Sequence, residues 1–103
     1  MKAILLVDRR VVVREDKYVV SIKVYEVEKS KKFPEGIKAK FVLRDIERGS
    51  SRLLVDNHEP FGFHMHTRLP QEKDHRVKLD VKEHNEALTL FFEEVERIVR
   101  NEE

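Results

Sequence analysis

The sequence predicts an α+β fold: a meandering antiparallel sheet of about five strands, with one C-terminal amphipathic helix packed on one face. Three observations predict this. Most of the chain consists of short segments rich in β-branched and aromatic residues, separated by turn residues. Several of these segments alternate between apolar and polar side chains. The end of the chain instead repeats apolar side chains at helical spacing, and this stripe requires an apolar surface to cover.

The first half of the chain is predicted to form strands. "AILLV" and "VVVRE" indicate one interrupted extended segment, "EDK" a turn, and "YVVSIKVYEVE" a second strand. "KSKKFPEG" is predicted to be a loop because Pro34 and Gly36 interrupt regular structure. In the next strand, "IKAKFVLRDI", one face carries Ile37, Ala39, Phe41 and Leu43. The other face carries Lys38, Lys40, Val42 and Arg44.

The next segments predict turns at "ERGSS" and "EPFG", with the strand "RLLVDN" between them. "FHMHTRL" is another alternating strand that ends at Pro70, and "RVKL" indicates a short edge strand. In "FHMHTRL" one face carries Phe63, Met65, Thr67 and Leu69. The opposite face carries His64, His66 and Arg68, which are expected to project from it because the helix leaves that face open.

The C-terminal helix is predicted to be about 20 residues long. Asp80 occupies the expected N-cap position, and Glu83 follows three residues later, which resembles a capping box. The apolar stripe consists of Leu88, Phe91, Phe92, Val95, Ile98 and Val99. We expect this stripe to pack on the apolar face of the sheet.

Length and composition predict a single α+β domain over residues 1–103 that is soluble and cytoplasmic. The chain has no cysteine, and its N-terminal apolar run is too short for a signal peptide or a membrane span. Charged residues form 40% of the sequence, but the net charge is only +1. Abundant Lys, Arg and Glu without Cys is typical of heat-adapted proteins with ion-pair networks.

Charge is distributed unevenly along the sequence. Residues 1–82 carry 19 basic and 13 acidic side chains, whereas residues 83–103 carry 2 basic and 7 acidic ones. A basic body followed by an acidic segment indicates an anionic partner for the body. Four cations are predicted to share the uncovered face of the sheet: Lys23, Lys38, Lys40 and Arg44.

Three interpretations of the histidines His64 and His66 remain open. They are polar surface residues of a strand, or they bind a metal together with Asp56, His58 or Glu59. In the third, one imidazole deprotonates a ribose 2′-OH and the other protonates the leaving 5′-oxygen of an RNA substrate. Arg68 would then stabilise the phosphorane-like transition state, and no cofactor is required.

Residues of the preceding segment are expected to support this strand. Asp56 and Asn57 end a strand, where short polar side chains commonly bond to the backbone of the next turn. Asp56 is also placed to orient a histidine ring, and His58 belongs to the turn itself. Phe61 is interpreted as a core aromatic that caps the turn, or alternatively as a platform for a stacked base.

The order of these features resembles the TumE-type family, the toxin components of prokaryotic toxin–antitoxin modules. The resemblance rests on "MKAILLV", "VDNHEPFGFHMH" and "LFFEEVERIV". The family-like positions are Asp56, Asn57, His58, His64 and His66. The resemblance implies a toxin, expected to act as a ribonuclease on RNA, with a cognate DNA-binding antitoxin. A non-catalytic module that binds nucleic acid or protein, and a homodimer, remain alternatives.

Overall fold

The structure is a computed structural model that describes residues 3–101, and it contains one sheet and one helix. The elements in chain order are β1 (Ile4–Val13), β2 (Tyr18–Glu26), β3 (Ile37–Asp45), β4 (Ser50–Asp56), β5 (His64–His66), β6 (Val77–Lys78) and α1 (His84–Asn101). The strands follow one another across the sheet in sequence order, each antiparallel to the next. The predicted antiparallel meander with a C-terminal helix is therefore confirmed, with six strands.

The first predicted segment forms one continuous strand, β1, with a bulge between Leu5 and Val7. The turn that follows it has left-handed backbone conformations at Arg14, Glu15 and Asp16. Such conformations are uncommon for residues other than glycine. This turn nevertheless brings β2 back along β1 with Val13 opposite Tyr18.

Alternation along the central strands divides the sheet into an apolar face and a polar face, as the sequence predicts. The apolar face supplies most of the core: Tyr18, Val20, Ile22, Val24, Ala39, Phe41, Leu43, Leu53, Val55 and Met65. Residues directly opposite each other in an antiparallel pair share a face, so the register fixes the polar face as well. Lys23 lies opposite Lys40, and Lys40 lies opposite Asp56.

Helix α1 covers the apolar face over β3 and β4. Its buried side chains are Ala87, Phe91, Val95 and Ile98. The ring of Phe91 lies 5.7 Å from the ring of Phe41, centroid to centroid, and joins the helix to the sheet. Phe92, which the sequence assigns to the same stripe, is 41% exposed. No helix within residues 3–101 is long and apolar enough to cross a membrane.

The predicted helix start at Asp80 is wrong, because the helix begins at His84. The chain is still attached to the sheet just before this point, where the backbone N–H of Leu79 donates to the carbonyl of Phe63 at 2.9 Å. Leu79 and Val81 also pack against the core. Because Leu79 and Val81 are held against the sheet and the core, Asp80 is not the N-cap and the predicted capping box does not form.

Candidate functional site

The histidine strand occupies the predicted face of the sheet. His64 lies opposite Asp56, and His66 lies opposite Leu54. Because Asp56 is in turn opposite Lys40, both imidazoles are on the same side as the strand lysines. Met65, between them, is buried in the core on the helix side. The alternation derived for "FHMH" is therefore correct.

The expectation that these histidines project from an open face is wrong. His64 is only 1% exposed and His66 only 9%. The turn after β4 places His58 and Phe61 against them, with ring centroids 4.9 Å and 5.5 Å from that of His64. Arg76 covers this group from outside, with its guanidinium carbon 3.9 Å from the centroid of Phe61. We refer to His58, Phe61, His64 and His66 as the histidine cluster.

Inside the histidine cluster, the surroundings of His64 favour the neutral imidazole. Its Nδ1 lies 2.8 Å from the carbonyl oxygen of Gly62, so Nδ1 carries the proton and donates it. Burial lowers the pKa of His64 below its ordinary value, and the hydrogen bond to Gly62 only partly opposes this. The Nε2 of His64 and the Nδ1 of His66 are buried with no protein hydrogen-bond partner among the described residues. Neither atom is open to a substrate.

His58 is the most accessible imidazole of the cluster. Its side chain is 30% exposed, and its Nδ1 lies 3.3 Å from Oδ2 of Asp56. A carboxylate in this position favours the protonated nitrogen on its own side and orients the ring. The histidine that Asp56 contacts is therefore His58. The sequence assigns His58 only to the turn.

Asn57 links two strands through its side chain. Its Oδ1 accepts a hydrogen bond from the backbone N–H of Ala39 at 3.0 Å, and its Nδ2 donates to the carbonyl of Ile37 at 2.8 Å. The side-chain amide therefore continues the ladder between β3 and β4 beyond Asp56. The predicted structural role is correct, although its partners lie on β3 and not in the next turn.

Arg68 is not part of the histidine cluster. Strand β5 ends at His66, and Arg68 lies in the turn that follows, where its Nη1 is 3.1 Å from Oε2 of Glu72. Both side chains are more than half exposed. The guanidinium pairs with Glu72 and not with either buried histidine, so the predicted trio of His64, His66 and Arg68 is not assembled.

The predicted cations on β2 and β3 do lie together on the uncovered face. Three of these four cations border a shallow pocket of about 310 Å³ lined by Arg10, Val19, Ser21, Lys23, Lys40, Val42 and Arg44. We refer to this as the basic pocket. Its four cationic side chains are all exposed. Lys38 lies further along the same face, opposite Tyr25.

Arg10 was missed by the sequence reasoning. It reaches the basic pocket because β1 pairs with β2 so that Arg10 is opposite Ser21. The signal that could have located it is the alternation "VDRRVV", in which Asp8, Arg10 and Val12 share one face. Tyr25 was also missed. It lies on β2 opposite Lys38 and adds an aromatic ring to this face.

Like charges are held close together in the basic pocket. Lys23 and Lys40 are direct cross-strand neighbours, an arrangement that destabilises a sheet. Asp8 and Asp56 flank them in the same cross-strand row. Neither lysine forms an ion pair with another described residue, and the neighbouring Asp56 is paired with His58 instead.

A metal site is not assembled in the described part of the chain. Over residues 3–101, no three histidine or acidic side chains converge in a way that could hold a metal ion. His64 and His66 turn their free nitrogens into the covered interior, and His58 is paired with Asp56.

No protein-family model, no curated protein and no solved structure matches this chain. The resemblance to the TumE-type family therefore stays a prediction from the sequence.

Proposed function

We propose that the uncovered sheet face binds single-stranded RNA. The observation that carries this proposal is the basic pocket, in which four exposed cations, Arg10, Lys23, Lys40 and Arg44, surround one depression. A groove of cations that follows a phosphate backbone supplies most of the affinity of such complexes. The repulsion between Lys23 and Lys40 is consistent with a surface selected for an anionic ligand.

The rest of this face favours a single strand over a duplex. The floor of the pocket contains Val19, Ser21 and Val42, which allow a sugar or base to approach closely. Tyr25 lies on the same face beside Lys38, and an aromatic ring on a sheet is a common platform for an unstacked base. Phosphate contacts and base stacking together are the combination by which proteins hold single-stranded nucleic acids.

The proposal is tested by the salt dependence of binding. With four phosphate contacts, log K should fall with log[salt] with a slope of about −3, since each contact on a single strand contributes roughly 0.7. In the double variant Lys23→Gln/Lys40→Gln we expect the slope to decrease in magnitude by about 1.4. Fluorescence anisotropy with a labelled unstructured RNA measures both. A wild-type protein without affinity for RNA, or a slope that the double variant does not change, contradicts the proposal.

Tyr25→Leu provides a separate test of the stacking contact. We expect it to weaken RNA binding by about 1–3 kcal/mol without changing the salt slope, because stacking releases no counterions. The matched control is Tyr18→Phe, which retains the aromatic core residue on the opposite face. Equal affinity in the Tyr25→Leu variant and the wild type would limit the interface to phosphate contacts.

A second candidate function is cleavage of the bound RNA, as the resemblance to a toxin implies. The observation that favours it is the Asp56–His58 pair, because His58 is an oriented, partly exposed imidazole on a loop next to the basic face. In this proposal His58 takes the proton of a ribose 2′-OH, whose oxygen attacks the adjacent phosphorus; the P–O5′ bond breaks, and water protonates the leaving 5′-oxygen. His64 then supports the ring of His58, His66 packs against His64, and neither touches substrate.

The cleavage proposal predicts RNA cleavage by the purified protein in the presence of a chelator. His58→Ala should abolish cleavage and growth inhibition while RNA binding persists, and His58→Gln should behave in the same way. Cleavage by the folded His58→Ala variant contradicts this assignment. The antitoxin partner is tested by co-purification with the product of the adjacent gene.

A further inference from the structure

Strand β1 forms an open edge of the sheet. Among residues 3–101, no strand pairs with its outer side, and the strand is 10 residues long. Its outer N–H and C=O groups therefore extend over roughly 33 Å. Proteins usually protect such an edge with short strands, prolines, charged side chains or β-bulges, and β1 has charges at residues 8–10 and one bulge. Beyond the bulge at Leu5/Val7, β1 is regular up to Val13.

The same strand concentrates the exposed apolar surface. Of the eight large hydrophobic residues that are exposed in the described part of the chain, five belong to β1: Ile4, Leu5, Leu6, Val11 and Val12. Isolated exposed apolar side chains are normal on any protein, but their concentration at both ends of one edge strand indicates an interaction surface. A long regular edge with apolar side chains is suited to strand addition.

We propose that β1 pairs with β1 of a second copy of this chain, so that one antiparallel sheet runs through both copies. The two-fold axis of such a pair is perpendicular to the sheet, and facing residues must point to the same side. With the axis at Arg9, Asp8 of each copy faces Arg10 of the other. Val7 of each copy likewise faces Val11. The pairing thus forms two ion pairs and two apolar pairs.

Charge complementarity selects this register over its neighbours. An axis at Asp8 would place Asp8 against itself and Val7 against Arg9. An axis at Arg10 would place Arg10 against itself and Arg9 against Val11. The selected register leaves one like-charge contact, between the two copies of Arg9, whose exposed side chains can diverge into water.

The pairing also bears on the basic pocket, and this consequence rests on the proposed function. An axis perpendicular to the sheet keeps the uncovered faces of both copies on the same side. Arg10 lines the basic pocket and lies next to the axis, so the two pockets adjoin across it. The combined surface would hold a longer stretch of RNA than one copy can hold.

Sedimentation velocity over a concentration series, without RNA, tests the pairing. We expect a reversible dimer for the wild type. Asp8→Arg should weaken the dimer about tenfold or more, because it replaces two ion pairs by two repulsive contacts with Arg10. The exchange Asp8→Arg/Arg10→Asp restores opposite charges and should recover the wild-type dissociation constant to within about threefold.

Val11→Lys supplies a second variant that acts through the apolar pairs, and it too should weaken the dimer. Circular dichroism checks that each variant is folded. A wild type that is monomeric throughout, a dimer that Asp8→Arg leaves unchanged, or an exchange variant that does not recover the dimer overturns the proposal. A monomer that binds RNA removes only the pairing, and a dimer without affinity for RNA removes only the proposed function.

Discussion

The face of the sheet opposite the helix has two halves that differ in the fate of their polar side chains. In the histidine cluster, a turn closes over the strand and leaves His64 only 1% exposed. In the basic pocket, on β1 to β3, the cations stay exposed. Both halves arise from the same alternation of strand residues. Alternation therefore assigns a side chain to a face, whereas the connecting loops decide whether that face meets solvent.

The largest expected effect comes from removing the centre of the histidine cluster. His64→Ala deletes a fully buried ring that contacts His58, Phe61 and His66. We expect the free energy of unfolding to fall by about 2–5 kcal/mol, as for other buried side chains truncated to alanine. Urea denaturation measures this.

The matched control is His75→Ala, at a partly exposed histidine in the loop between β5 and β6. This change should cost less than about 0.5 kcal/mol. If both variants are equally stable, the histidine cluster is not a structural core, and the difference between the two halves of the face disappears.

A smaller effect is expected at the junction between β3 and β4. Asn57→Ala leaves the N–H of Ala39 and the carbonyl of Ile37 without their side-chain partner. We expect a loss of about 1–3 kcal/mol in stability, with RNA affinity retained by the variant that remains folded. Asn57→Asp separates the two bonds, because a carboxylate accepts from Ala39 but cannot donate to Ile37. An alanine variant as stable as the wild type contradicts a stabilising role for the Asn57 side chain between β3 and β4.

In the basic pocket the expected effect on stability has the opposite sign. Lys40→Glu replaces the contact between Lys23 and Lys40 by a pair of opposite charges. Stability should be unchanged or rise by about 0.2–1 kcal/mol, although the new carboxylate faces Asp56 on its other side. RNA affinity should fall in the same variant. Thermal denaturation and fluorescence anisotropy, measured on one preparation, test whether the variant keeps its stability while its RNA affinity falls.

The smallest expected effect is a dependence of stability on pH through His64. Its folded-state pKa lies below the ordinary value of 6.5, so the unfolded chain takes up the proton first as the pH falls. The contribution of His64 therefore destabilises the fold progressively below pH 6.5 and vanishes above it. The slope of unfolding free energy against pH between 7.5 and 5.5 should be smaller in His64→Gln than in the wild type. Identical slopes would contradict the lowered pKa.

Much of the fold follows from local patterns. The meander, the faces of β3 and β5, and the core residue Phe91 could be predicted because each depends on strand or helix periodicity. The helix start could not, because the backbone bond from Leu79 to Phe63 holds the preceding segment to the sheet. The residues around Asp80 alone do not predict that long-range contact.

Less of the candidate site follows from the sequence. The positions of Lys23 and Lys40 depend on strand pairing, which the alternation anticipates. The burial of His64 depends on how the turn containing Phe61 folds back, and no periodic pattern describes a turn of that length. Arg68 lies beyond the end of β5, where the alternation no longer applies and Glu72 becomes its partner.

The central claim is that the basic pocket, and not general charge, binds RNA. The direct test compares two charge-reversal variants with the same net charge. Lys23→Glu/Lys40→Glu changes the pocket, whereas Lys73→Glu/Lys82→Glu changes exposed cations outside it: Lys73 lies in the loop between β5 and β6, and Lys82 lies just before α1. We predict that only the first variant loses RNA binding, by at least about tenfold, in anisotropy titrations at one salt concentration. Equal losses in both variants would contradict the account.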